Sequence, residues 1–139
     1  MKATLFRVIL PVSDIERAAR FYAAVLGGEG MRISPGRHYF DCGGVIVACF
    51  DPNKDGDGYE PTPLPEWLYF AVDDLEAAHL ACRLAGAIPG EGDVHGDPAG
   101  EIAKRPWGER SFYVHDPFGN RLCFVDRSTT FTGRQPRPG

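Results

Sequence analysis

A seven-residue segment of this chain occurs twice. Val12-Ser13-Asp14-Ile15-Glu16-Arg17-Ala18 returns as Val72-Asp73-Asp74-Leu75-Glu76-Ala77-Ala78, sixty residues later. Each copy follows a short apolar run, Phe6 to Val12 and Trp67 to Val72. Each precedes a stretch of helical periodicity that ends in glycine, at Leu26-Gly27-Gly28 and Leu84-Ala85-Gly86. A repeat of this length in a small chain predicts one supersecondary unit used twice. Two such units can bury each other's apolar faces and leave a cleft, where a functional site is expected.

Local signals fill in the units. Leu5 to Pro11 reads as a buried strand, and Ser13 or Asp14 can cap the helix that follows. Ile15, Ala18, Ala19, Tyr22 and Leu26 then recur at helical spacing. Arg32-Ile33, His38-Tyr39-Phe40-Asp41 and Val45 to Phe50 read as strands, separated by Ser34-Pro35-Gly36 and Cys42-Gly43-Gly44 turns. The first unit is therefore β-α-β-β-β. Asp51 to Glu66, with four prolines, reads as a long exposed linker. Trp67 to Val72 is a strand, Asp74 to Leu84 a helix, Gly90 to Gly100 a loop, and Glu101 to Arg105 a further strand. Arg110 to His115 and Arg121 to Asp126 pair around the turn Asp116-Pro117-Phe118-Gly119-Asn120, where Pro presets one angle and Gly or Asn accepts positive φ. The expectation is a single α+β domain over 1–133. It comprises module one (about 4–50), a linker (51–66), module two (67–127) and a frayed tail at 134–139.

Composition narrows the function. Hydrophobic residues make up 43% and charged residues 24% of 139 residues, which suits one globular core. A formal net charge of -4 argues against a nucleic-acid partner, which requires a basic face. No apolar run reaches the length of a membrane span, and no signal peptide precedes the first strand. Cys42, Cys49, Cys82 and Cys123 are scattered, with no zinc or redox pairing, so a cytoplasmic protein with reduced thiols is expected.

Several residues stand out chemically. Asp51-Pro52-Asn53-Lys54-Asp55-Gly56 imitates the start of a calcium loop, but the twelfth position is Thr62, and Pro61, Pro63 and Pro65 forbid the exiting helix. It is read as an acidic linker. None of the four His residues (His38, His79, His95, His115) pairs with another at i, i+4. His38, on a strand, is the one able to point into a cleft. Arg7 sits within an apolar strand, where a charge is costly unless it meets an acidic partner or an anionic ligand group. Trp67 and Tyr69 share one strand face, and Tyr39 with Phe112 or Tyr113 can join them in an aromatic wall suited to flat ligands.

The segments Val12-Ser13-Asp14-Ile15-Glu16 with Phe21-Tyr22-Ala23-Ala24-Val25-Leu26-Gly27, Val72-Asp73-Asp74-Leu75, and Ser111-Phe112-Tyr113-Val114-His115-Asp116-Pro117-Phe118-Gly119-Asn120-Arg121-Leu122 resemble the vicinal oxygen chelate superfamily. That superfamily includes glyoxalase I, fosfomycin-resistance thiol transferases, extradiol dioxygenases and bleomycin-resistance proteins. The likeness covers about residues 4 to 127. It implies two β-α-β-β-β modules, each a half-open curled sheet, facing each other across a cleft, and a homodimer. It also implies one divalent ion held by His, Gln or Glu at four positions. Here those positions fall on Arg7, on Val47 or Ala48, on Trp67 and on Cys123. Arg cannot ligate, an indole N–H only donates, Val and Ala offer nothing, and one thiolate makes no chelate.

The resemblance therefore points to the metal-free, bleomycin-resistance branch, which Pro106-Trp107-Gly108-Glu109-Arg110-Ser111-Phe112 also resembles. The expectation is a protein that sequesters a small molecule, aromatic or bearing an anionic group, with no cofactor. Its ligand contacts are expected at Arg7, Trp67, Tyr69, Cys123, His38, Tyr39 and Phe112. The alternative is a superfamily enzyme, using a displaced metal site at His38 or His115 or a Cys123 nucleophile activated by Arg7. A ligand-free partner-binding domain is the third reading.

Overall fold

A computed structural model describes residues 1–133; the tail expected at 134–139 lies outside the described residues. The chain is α+β and divides into two compact units. Unit 1 holds Met1–Leu64 with Phe118–Asn120, and unit 2 holds Pro65–Pro117 and the chain from Arg121 on.

Unit 1 runs β1 (Arg7–Pro11), α1 (Ile15–Leu26), β2 (Met31–Ser34), β3 (Arg37–Cys42) and β4 (Val45–Phe50). Its sheet has the order β1-β4-β3-β2, with β1 parallel to β4 and the other neighbours antiparallel. Helix α1 starts because the Asp14 carboxylate accepts the Arg17 backbone N–H at 3.1 Å, and it stops at Gly27, whose φ of 81° is the left-handed conformation that glycine adopts without strain. It buries Ile15, Ala18, Phe21, Tyr22 and Val25. Phe21 and Val25 thus join the buried stripe, while Ala19 and Leu26 lie at its margin.

Unit 2 repeats the plan with β5 (Leu68–Val72), α2 (Leu75–Leu84), β6 (Ile88–Pro89), β7 (Asp93–Val94), β8 (Asp97–Pro98), β9 (Ala103–Lys104), β10 (Arg110–His115) and β11 (Arg121–Asp126). The sheet order is β5-β11-β10-β6, with β5 parallel to β11 as β1 is to β4, and β9 added against β10. Asp74 caps α2 through the Ala77 N–H at 3.0 Å, the counterpart of Asp14. The stretch expected as a loop, 90–100, holds the small β7–β8 hairpin, turned at His95 and Gly96, both with positive φ.

The repeat extends to strand register. Ile9 pairs with Ala48 and Ala48 with Tyr39; sixty residues on from Ile9, Tyr69 pairs with Cys123 and Cys123 with Tyr113. Alternation then sorts the two faces of each sheet. In unit 1, Leu10, Phe40, Val47 and Cys49 are buried on the side of α1, with the Tyr22 ring 6.2 Å from that of Phe40. In unit 2, Phe70, Phe112 and Phe124 stack in a row on the side of α2.

The segment expected as an exposed linker is structured at its start. Asp51 and Pro52 are buried, and Asp51 N–H donates to Gly36 O at 2.8 Å. Asp55 accepts from Ser34 Oγ and from Gly36 N, each at 2.7 Å, and pairs with Arg37. Its carboxylate is thus committed to the β2–β3 turn. Gly36 fits there because a Cβ would stand 2.4 Å from Asp51 O. Asn120, fully buried, accepts Leu64 N–H at 2.8 Å and donates to Pro11 O at 2.6 Å, which ties that end of the segment to β1. Among the described residues no helix is long and apolar enough to cross a membrane.

Candidate functional site

The face of each sheet turned away from its helix carries several of the residues that the sequence marks: Arg7, Ala48 and Tyr39, beside Ile9, in unit 1, and Tyr69, Cys123 and Tyr113, beside Ser111, in unit 2. The register resolves the choice between Val47 and Ala48: Ala48 shares the open face with Arg7, and Val47 points to α1. Arg7 is exposed, its guanidinium carbon 5.1 Å from the Phe6 ring centre, so the cost of a charge inside a strand does not arise.

Two expected contacts lie on the other face. His38 is on the α1 side, its Nε2 2.8 Å from Glu29 O, its Nδ1 3.3 Å from Arg32 Nε and its ring 5.0 Å from Phe40. Phe112 is fully buried, stacked on Phe124 and set edge-on to His79 of α2 at 4.7 Å. The sequence places both on strands but does not say which face is open, because a one-residue change of phase exchanges the faces.

In unit 2 the open face is partly roofed. Ala99, Tyr113, Cys123 and Val125 form a buried cluster against which Trp67 and Val94 pack. The Trp67 ring stacks on His115 at 5.5 Å and meets Tyr113 edge-on at 5.0 Å, with Arg121 over it at 5.7 Å. Burial pushes the Cys123 thiol up to about 12, against hydrogen bonds from Ser111 and Tyr113 that favour the thiolate. At neutral pH it is a thiol.

Beside edge strand β5 a cavity of about 420 Å³ opens within unit 2, lined by Tyr69, Phe70, Ala71, Trp107, Glu109, Val125, Thr130 and Phe131. Glu109 organises its wall: one carboxylate oxygen accepts Trp107 Nε1–H at 2.8 Å, the other Phe131 N–H at 2.9 Å. Tyr69 is the predicted contact that reaches this cavity; it is 58% exposed. A second cavity, of about 360 Å³, lies by α2 between His79, Cys82, Pro89 and Val114.

Sequence reasoning missed Arg105. It is 2% exposed, with Nε donating to Ser111 Oγ at 3.1 Å and Nη2 donating to Glu101 O at 3.1 Å and Ser111 O at 2.9 Å. Its Nη1 is buried without an acceptor, a loss of about 1–3 kcal/mol. Among the described residues no carboxylate pairs with it. Its guanidinium carbon lies 5.2 Å from the Tyr113 ring centre. A lone Arg between the end of the short strand β9 and a proline carries no sequence signal of such burial. Trp107, Glu109 and Phe131 were equally unmarked as wall residues, since a loop and a terminal segment bring them together.

The side chains at the four positions where relatives would hold a divalent ion do not fit one. They are an exposed guanidinium, a buried methyl, an indole N–H donor and a protonated thiol. Among the described residues no three His, Cys, Asp or Glu side chains are grouped to hold a metal.

Comparison with known proteins agrees with this architecture. A family model described as Glyoxalase/Bleomycin resistance protein/Dioxygenase superfamily matches residues 4–124. Similar solved structures include a glyoxalase/bleomycin resistance protein from Albidiferax ferrireducens T118 at 24% identity and TM-score 0.71, covering 88% of this chain and 98% of that one. The oxidase ChaP-H2 is 28% identical with TM-score 0.68, covering 91% and 95%. A lactoylglutathione lyase from Agrobacterium tumefaciens is 20% identical with TM-score 0.64, covering 92% and 96%. No curated protein matches the chain.

Proposed function

Since the chain belongs to the glyoxalase/bleomycin resistance/dioxygenase superfamily, we propose that it is a member that binds and sequesters a small, flat molecule without a metal. The observation that carries this reading is the exchange at the four ligand positions. Donors are missing there, while an aromatic cavity of ligand size stands in unit 2. Tyr69, Trp107 and Phe131 supply ring faces, and Glu109 holds Trp107 and Phe131 in place rather than contacting the ligand first. Binding would then rest on stacking and shape, with no bond broken.

The names of two similar structures, an oxidase and a lyase, define the competing reading, a superfamily enzyme. The test pairs elemental analysis of dialysed protein with titration of a planar probe, 9-fluorenone, followed by tryptophan fluorescence. The expected outcome is no stoichiometric zinc, nickel, manganese or iron, saturable quenching, and about tenfold weaker binding in Trp107→Ala, the loss of one aromatic contact. About one equivalent of metal, or a Trp107→Ala variant that binds unchanged, overturns the proposal.

We further propose a homodimer in a reducing compartment. Support for the dimer comes from apolar side chains exposed at the start of the chain and on the sheet of unit 1, Leu5, Phe6, Ile9, Met31 and Ile33. Support for the compartment comes from four cysteines scattered along the chain with no zinc or redox spacing.

A further inference from the structure

The cavity beside β5 has a charge as well as a shape. Four of its side chains are aromatic, Tyr69, Phe70, Trp107 and Phe131, and one, Glu109, is a carboxylate. None of the described residues that line it is Lys, Arg or His. The arginines next to Glu109 on the same hairpin are directed elsewhere. Arg110 pairs with Glu76 and Asp126, and Arg105 donates to Ser111 and to the Glu101 carbonyl.

We propose that this cavity selects planar aromatic cations, rings that carry a quaternary or protonated nitrogen, held against Trp107 and Tyr69 with the Glu109 carboxylate beside them. The proposal rests on the reading of the cavity as the ligand site. The face of an aromatic ring is negative and attracts a cation within about 6 Å of its centre, Trp most strongly. Phe6, Phe50, Tyr113 and Trp67 each have an Arg guanidinium over them. Among the described residues no Lys or Arg side chain stands over the Tyr69 or Trp107 ring.

Glu109 adds to this in two ways. Its Oε1 accepts the Trp107 Nε1–H at 2.8 Å and its Oε2 the Phe131 N–H at 2.9 Å. Donation to an anion polarises the indole and leaves its face more negative. A carboxylate also offers about four acceptor sites, so Glu109 keeps both bonds and still presents its charge at the wall. Tyr69 registers that charge. Burial raises its phenol most, and the Glu109 and Glu66 carboxylates push it the same way. A place that resists a phenolate favours a cation for the same reason, and a ligand carboxylate would meet Glu109 as a like charge. The formal net charge of -4 acts in the same sense at longer range.

The test uses probes of one bicyclic shape in equilibrium dialysis at about pH 8: 1-methylquinolinium as cation, 1-methylnaphthalene as neutral form and 1-naphthoate as anion. Wild type is expected to bind the cation roughly tenfold more tightly than the neutral probe, and the anion more weakly than either. Rising salt should weaken the cation and leave the neutral probe unchanged. In Glu109→Gln the ratio of cation to neutral affinity is expected to fall about fivefold, while the neutral probe alone reports damage to the wall. Glu109→Asp, which keeps the charge, is expected to retain the preference for the cation. A merely structural role for Glu109 would weaken both probes together and leave the ratio alone. If Glu109→Gln does not fold, the wild-type ratio and its salt dependence decide. Failure of all the probes to bind wild type overturns the cavity reading itself. Binding without preference for the cation, or with preference for the anion, overturns the present proposal and leaves that reading standing. A preference unchanged in Glu109→Gln overturns the role of Glu109.

Discussion

Cys123 stands between Tyr69 and Tyr113 in the sheet of unit 2 and is fully buried from solvent. A thiol is a nucleophile only as the thiolate, and burial keeps this one protonated up to about 12. Cys82 is raised to about 12 by the same cause, and Cys49 is buried. Cys42 is half-buried, and burial and then the Asp41 charge raise it less. Native protein at about pH 8 should therefore react with a disulfide thiol reagent slowly and at Cys42 alone, with all four thiols released on unfolding. Rapid labelling mapped to Cys123 by mass spectrometry would revive a nucleophilic role. The sequence shows the residue types at this scale. It does not show whether a side chain is charged, because that depends on what covers it. Arg7, suspect in sequence, is exposed, while Arg105, unremarked, is buried.

Among the elements, the β2–β3 turn shows how a distant segment can complete a local structure. The hydrogen bond from Ser34 is the largest influence holding the Asp55 carboxyl below its ordinary value of 3.8, opposed by desolvation and aided by Gly36 N–H and Arg37. A carboxyl lowered in the folded state binds its proton more readily when unfolded. Its contribution is therefore complete above the ordinary value and disappears as pH falls through the folded one. The melting temperature of the wild type should drop steeply in that acid range. Asp55→Asn should melt lower at neutral pH and show a flatter acid limb; a variant with the wild-type profile would mean that the clamp contributes nothing. The acidic run around Asp55 is legible in sequence, but its partner turn, some twenty residues earlier, is not, so the run reads as solvated linker. The helices are the opposite case. Their signals are local: the sequence offers Ser13 or Asp14 to start the first helix, and the structure uses Asp14, with Asp74 as its counterpart in the second.

For the molecule as a whole, the exposed apolar side chains of unit 1 predict association. Light scattering should give a mass near twice the 15.2 kDa of the chain, and Ile9→Glu, which puts a charge on the open face, should shift it toward the monomer. A wild type that is monomeric at working concentration removes the proposal. The sequence alone determined the α+β class, the duplicated unit, both helices, and the superfamily. Each of these follows from residues close in the chain, or from one segment repeated. Only the tertiary structure decided which strand face is open, moving His38 and Phe112 away from it and Ala48 onto it. It also decided that Trp107, Glu109 and Phe131 share a wall with Tyr69, and that Arg105 lies buried beside Ser111. Strand alternation gives two equivalent faces, and the choice between them is made by where the helix and the returning loops pack, which is set by contacts across the chain rather than along it.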